Sequence, residues 1–115
     1  MFNLFVSGKF DCFSYIDKED IFGILDHLLT NKKDDTIRVI YSDYIKNSDS
    51  IIREYCDTRK YKIQPTSCSV NYIRENNDIN GVVIFKFGNS NKSIEKEVID
   101  EATSKNIDLR IIDKI

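Results

Sequence analysis

At 115 residues, with 17 Lys and Arg against 19 Asp and Glu, the chain has the size of one domain able to bury a real core. Its net charge of -2 gives no global pull towards nucleic acid. No apolar stretch approaches the ~20 residues of a membrane helix, and the amino terminus lacks the basic, apolar and small-residue regions of a signal peptide. Three cysteines, Cys12, Cys56 and Cys68, without metal-finger or redox spacing read as free thiols of a cytoplasmic protein.

Phe2-Asn3-Leu4-Phe5-Val6 is a short apolar run with the pattern of a buried strand. It ends in Ser7-Gly8-Lys9, and Asp11 to Tyr15 read as the loop that follows. Asp17 or Asp20 then opens a helix, with acidic residues at its positive end. Ile21, Ile24, Leu25, Leu28 and Leu29 recur at helical spacing and form one apolar stripe. Asn31-Lys32-Lys33-Asp34-Asp35 closes the helix. Thr36-Ile37-Arg38-Val39-Ile40-Tyr41 is a β-branched second strand. A polar segment from Ser42 to Asn47 leads to Ser48 or Asp49 as the cap of a second helix, buried through Ile51, Ile52, Tyr55 and Cys56.

Tyr61-Lys62-Ile63-Gln64 makes a short third strand that Pro65 is expected to stop. A short helix is expected over Val70 to Glu75, ended by Asn76-Asn77-Asp78. Gly81-Val82-Val83-Ile84-Phe85-Lys86-Phe87 reads as a central parallel strand, apolar on both faces. Gly88-Asn89-Ser90-Asn91-Lys92-Ser93 follows, with Ser93 capping a helix that carries Ile94, Val98, Ile99 and Ala102. Asn106 ends that helix, and Ile107 to Ile112 form the fifth strand.

Strands alternating with amphipathic helices predict an α/β domain spanning residues 1–115. Its expected form is a single doubly wound, Rossmann-like parallel sheet of about five strands, order 3-2-1-4-5, with helices on both faces. Ligands of such sheets sit beyond the carboxyl ends of the strands, at the switch in strand order. Here that switch lies between the first and fourth strands, so the segments after Val6 and Phe87 are expected to face one another. Three segments converge there. They supply Ser7, Gly8 and Lys9; Asp43, Lys46, Asn47, Ser48 and Asp49; and Gly88, Asn89, Ser90, Asn91, Lys92 and Ser93. Helix N-termini with unpaired N–H groups, one lysine per segment and small polar side chains make an anion-binding edge. Phe10 and Tyr44 are placed to stack on a base or ribose.

In these residues the chain resembles the SLOG superfamily of Rossmann-like nucleotide-ligand domains, in particular its YspA-like branch. Val6-Ser7-Gly8-Lys9-Phe10 is similar to the family's opening strand and T-G-S-R turn. Asp43-Tyr44-Ile45-Lys46-Asn47-Ser48-Asp49 stands where the family has G-G-A-R-G-A-D, with Asp49 matching the last residue and Lys46 replacing the arginine. Gly81 to Phe87 followed by Gly88 to Ser93 resembles the family's strand and G-G-x-G-T loop, with Ser93 in the place of threonine. Ile107 to Ile112 is similar to its closing strand. The resemblance implies a nucleotide-derived ligand at these loops and a homodimer.

The departures matter. Tyr44 and Ile45 replace small residues, and all three glycines of the second motif are missing. The family's hydrolases carry a glutamate three residues after the loop threonine, where this chain has Lys96, flanked by Glu95 and Glu97. A non-catalytic binder that senses or sequesters its ligand is therefore the leading expectation, without catalytic residues, metal or cofactor. A nucleotide N-glycosidase or transferase is an alternative in which Glu95 or Glu97 points into the crevice. In the TIR-domain and deoxyribosyltransferase folds, which the start of the chain also resembles, the matching glutamate is Glu54, read here as an exposed helix residue.

Paired carboxylates of a receiver domain are absent, Asp11 standing alone. His27 reads as a helix-flank residue, and Cys12 lacks a basic partner to activate it. Eighteen isoleucines, ten asparagines and twelve lysines against a single alanine fit an AT-rich genome, such as that of a phage, a large DNA virus or an AT-rich bacterium. That composition and the missing glycines support a second alternative, a viral or mobile-element protein that acts by binding a host protein.

Overall fold

The computed structural model describes residues 1–10, 15–32, 36–42, 48–66, 69–87 and 92–113, with side chains described over 1–7, 18–32, 36–42, 50–66, 70–86 and 95–112. Strands and helices alternate: β1 (Phe2–Phe10), α1 (Tyr15–Leu29) running into a 3₁₀ turn (Thr30–Lys32), β2 (Ile37–Ser42), α2 (Ser48–Arg59), β3 (Lys62–Thr66), α3 (Ser69–Glu75), β4 (Gly81–Phe87), α4 (Lys92–Ser104) and β5 (Asp108–Asp113). The strands form one sheet in the order β3-β2-β1-β4-β5, every neighbouring pair parallel. This is the Rossmann-like α/β arrangement expected from the alternation of periods along the chain.

Two cores lie on opposite faces of the sheet. Leu4, Val6, Val39, Tyr41, Val83 and Phe85 pack with Ile21, Leu25 and Leu29 of α1 and Ile51, Ile52, Tyr55 and Cys56 of α2. Phe5, Ile40, Val82 and Ile84 pack with Val70 and Ile73 of α3 and Val98 and Ala102 of α4. Successive strand residues point to opposite faces, so a strand buried on both reads as an unbroken apolar run. The stripe on α1 is graded, with Ile21, Leu25 and Leu29 buried and Ile24 and Leu28 half-buried on its flanks.

Several boundaries differ from the expected ones; among them, β2 takes in Ser42, which was expected to begin the segment that follows it. Strand β1 does not end at Ser7 but runs to Phe10, because Gly8, Lys9 and Phe10 find backbone partners in Phe85, Lys86 and Phe87 of β4. Pro65 does not stop β3. It pairs with Tyr41 inside the strand, which is possible because β3 is an edge strand and a missing N–H on the outer side costs no ladder bond. Helix α1 begins at Tyr15 rather than at the aspartates. Ile107 belongs to the helix ending rather than to β5: its N–H donates to the Ala102 carbonyl, and Asn106 takes a left-handed φ of 56°.

Candidate ligand site at the carboxyl edge of the sheet

In a parallel sheet each connecting helix starts where a strand ends, so helix N-termini gather at the carboxyl edge. Helices α2 and α4 both open there, with Ser48 and Asp49 as the first residues of one and Lys92 and Ser93 as the first of the other. Their aligned peptide dipoles favour negative charge at that edge. Of the other predicted site residues, Ser7 is buried within β1, and Gly8 and Lys9 follow it in the same strand. The side chains of Lys9, Ser48, Asp49, Lys92 and Ser93 lie outside the described ones. Asp43, Lys46, Asn47, Gly88, Asn89, Ser90 and Asn91 lie outside the described residues altogether, as does Tyr44.

The switch in strand order lies between β1 and β4, as expected. The β1–β2 ladder ends at Val6↔Tyr41. One residue further, Ser42 pairs with Thr66 of β3, while Ser7 pairs with Ile84 of β4. From Gly8 to Phe10, β1 stays paired with β4, so these residues lengthen the strand instead of forming a loop after Val6. The division falls between β1 and β2, and Ser7 and Ser42 flank it.

These two serines share a face. Phe5 and Ile40 belong to the core under α3 and α4, and Ser7 and Ser42 follow two residues later in their strands. Lys86 follows Ile84 on the same face of β4. In the first turns of α4, Glu95 is buried at 5% exposure, and Lys86 Nζ lies 3.7 Å from its Oε2. Its Oε1 is buried with no hydrogen-bond partner among the described residues. The buried polar residues among the described ones are Asn3, Ser7, Ser42 and Glu95. All but Asn3 therefore stand at the carboxyl edge of the α3–α4 face.

Asn3, at the opposite end of the sheet, shows what a purely structural polar cluster looks like here. Its backbone N–H donates to Asn80 Oδ1, its Nδ2 donates to the Asp78 carbonyl, and its Oδ1 accepts from Arg38 Nε. The Arg38 guanidinium also donates to Gln64 Oε1 at 2.8 Å and to Asp78 Oδ2 at 2.7 Å. Every polar group of Asn3 is engaged, its carbonyl accepting from Asn80 N–H. Glu95 is the contrast.

The remaining candidates fall out plainly. Glu54 is exposed and holds Lys18 Nζ between its two oxygens at 2.9 and 3.0 Å, as a helix-surface residue does. His27 and Glu97 are exposed. Cys56 is buried, and that burial pushes its thiol up to about 12, out of nucleophilic range at neutral pH. Cys12 lies outside the described residues. Among the described residues no group of His, Cys, Asp and Glu could hold a metal ion, and no helix is long and apolar enough to cross a membrane. Ser42 and Lys86 were not singled out from the sequence. Lys86 carried a readable signal, as the one charge in the apolar run Gly81 to Phe87; Ser42 carried none.

No family model, curated protein or solved structure matches this chain.

Proposed function

We propose that the protein is a small Rossmann-like domain of SLOG type that binds a nucleotide-derived ligand at the carboxyl edge of its sheet, sensing or sequestering it in the cytoplasm without turning it over. The observation that carries this reading is the gathering of buried Ser7, Ser42 and Glu95 on one face of that edge. Helices α2 and α4 begin at the same edge, where helix N-termini favour negative charge. Small hydroxyls there allow a phosphate or sugar to come close to the backbone. The resemblance of the three edge segments to SLOG motifs supports the ligand class, and the AT-rich composition fits a phage, a large DNA virus or an AT-rich bacterium as the source. A homodimer is part of the same reading.

The test is thermal unfolding of the wild type with mono-, di- and cyclic nucleotides at millimolar concentration, with Lys46→Ala and Lys92→Ala as controls. A ligand at a hundred times its Kd stabilises by about 2.7 kcal/mol. A shift that is lost in the lysine variants supports the edge as the site. No shift with any nucleotide overturns the reading.

The burial of Glu95 also favours a second reading, cleavage or transfer at an N-glycosidic bond. Glu97 is exposed, so Glu95 is its carboxylate. Release of free base from a bound nucleotide supports that reading, and binding without release eliminates it.

A further inference from the structure

We infer that the outer edge of β5 joins two copies of this chain, paired antiparallel about a two-fold axis through Leu109, so that one sheet runs through both. The inference rests on the homodimer proposed for this protein and specifies the surface that makes it. The ligand edge plays no part in it.

The two edges of the sheet are unlike. Strand β3 closes one side, and Pro65 within it has no N–H to offer another strand. Strand β5 closes the other with the run Asp108-Leu109-Arg110-Ile111-Ile112-Asp113, free of proline. Asp108, Arg110 and Ile111 are exposed, and Leu109 and Ile112 are half-buried. Ile111, at 42% exposure, is with Met1 one of the exposed large hydrophobic residues among the described ones. A strand edge with open backbone groups and an open apolar side chain is a template for another strand.

Charges on an edge strand ordinarily deter such pairing. Here they are arranged to suit one partner, a second copy. Arg38, Arg59 and Arg74 each hold a carboxylate of their own chain. Exposed Arg110 has no ion pair among the described residues, and neither has Asp108. The two lie on one face of β5, with Leu109 and Ile111 on the other.

A two-fold axis normal to the sheet sets residues of like face opposite one another, so one residue must meet its own copy. At Arg110, like charges would meet. At Ile111 or Ile112, an apolar residue (Leu109 or Ile111) would stand against Asp113 of the second copy. At Leu109, Asp108 stands opposite Arg110 of the second copy, and symmetry repeats the pair. On the other face Leu109 meets Leu109, and Ile111 meets Ile107 of the second copy. Ile107 and Leu109 already pack on the core under α3 and α4. That core becomes continuous across the axis, and Ile111 is covered. An antiparallel strand at the edge of a parallel sheet is a common arrangement.

The test measures association of the whole chain without ligand, by sedimentation equilibrium from micromolar to millimolar concentration. Wild type is compared with Arg110→Asp, Asp108→Arg, the double exchange of both, and Ile111→Lys. Each protein is also melted at the dilute end. Wild type is expected to be a reversible dimer. Either single charge reversal sets like charges opposite one another twice and weakens the dimer roughly tenfold or more. The double exchange restores opposite charges and recovers the dimer, a result that misfolding of the single variants would not produce. Ile111→Lys weakens it as well. Melting temperatures at the dilute end stay near that of wild type, because the three altered side chains are exposed.

A wild type that stays monomeric at millimolar concentration overturns the inference and the homodimer together, and leaves nucleotide binding standing. A dimer that the single reversals and Ile111→Lys leave unchanged overturns the inference alone and puts the interface elsewhere, such as a helix face. A dimer weakened by the single reversals but not recovered by the double exchange removes the pairing of Asp108 with Arg110, and the inference with it.

Discussion

Lys60 holds a left-handed φ of 61° just beyond the last turn of α2, and Tyr61 N–H closes back on the Cys56 carbonyl at 3.0 Å. Asn106 does the same after α4, with its own N–H on Thr103 O and that of Ile107 on Ala102 O. Both are helix endings that favour a residue without steric objection to positive φ. Asparagine tolerates that conformation, whereas the Cβ and long stem of lysine make it cost roughly 1–2 kcal/mol. Lys60 is exposed, so Lys60→Gly is expected to stabilise the fold by about 1 kcal/mol, raising Tm by a few degrees in a thermal melt. Cys56 supplies a second residue-scale expectation. With its thiol pushed up to about 12 by burial, it resists alkylation by iodoacetamide at pH 8 until the protein unfolds. Peptide mass spectrometry with and without denaturant checks this, and labelling of Cys56 in the native state would contradict it.

At the scale of elements, α1 and α2 are clamped by an ion pair with aromatic walls, in addition to the Lys18–Glu54 pair. Arg59 donates to Asp26 through Nε at 2.8 Å and through a terminal nitrogen at 2.7 Å, and Tyr55 donates its hydroxyl to the same carboxylate at 2.9 Å. The guanidinium lies 4.6 Å from the centre of the Tyr55 ring and 5.2 Å from that of Phe22. The hydrogen bond from Arg59 outweighs burial and holds the Asp26 carboxyl below its ordinary value of 3.8, while burial and Asp26 push the Tyr55 hydroxyl well up. A carboxyl that binds its proton less tightly when folded stabilises the fold above its unfolded pKa and loses that contribution as pH falls through the folded one. Asp26→Asn is therefore expected to cost about 1 kcal/mol at pH 7, a modest figure because Asp26 is 46% exposed. In urea titrations the gap between variant and wild type should close as pH falls below the ordinary carboxylate range. A gap that persists in acid would show that the charge is not its source.

A second clamp joins the last turns of α3 and α4. The Lys105 ammonium donates to the carbonyls of Ile73, Arg74 and Asn76, which α3 leaves open at its C-terminus. Lys105→Met leaves them without that donor and should lower stability by about 1–2 kcal/mol, read by chemical denaturation. Such long-range side-chain partnerships were not legible in the sequence. The helices themselves were, because the spacing of Ile21, Leu25 and Leu29 or of Ile51, Ile52, Tyr55 and Cys56 specifies which face is buried. Periodicity reports that a face is covered. It does not report which distant lysine reaches a helix end.

At the scale of the whole molecule, the order of the strands followed from alternation and the expected crossing of the chain, and β1, β2 and β4 were visible as apolar runs. The extent of pairing was not. Whether Gly8, Lys9 and Phe10 continue a strand depends on partners in β4, 77 residues further along the chain, that their own composition does not announce. Pro65 was misread for the same reason, since its effect depends on whether β3 is an edge. The carboxyl edge was legible as the place for a site, and Ser7 was named for it. The polar floor that Ser42, Lys86 and Glu95 add emerged only when the strands lay side by side. Glu95 illustrates the limit most clearly: as one acidic residue among nineteen, nothing in its sequence setting distinguishes it from exposed Glu97.

The central claim is that this edge, on the α3–α4 face, takes a nucleotide. Amide chemical-shift mapping by NMR during titration of the wild type with the four nucleoside 5′-monophosphates tests it most directly. The account predicts saturable shifts at Ser7, Ser42, Lys86 and Glu95, with Asn3 and Arg38 at the other end of the sheet unmoved. Shifts confined to the amino end or to the β5 edge, or no saturable shift at millimolar ligand, would contradict it.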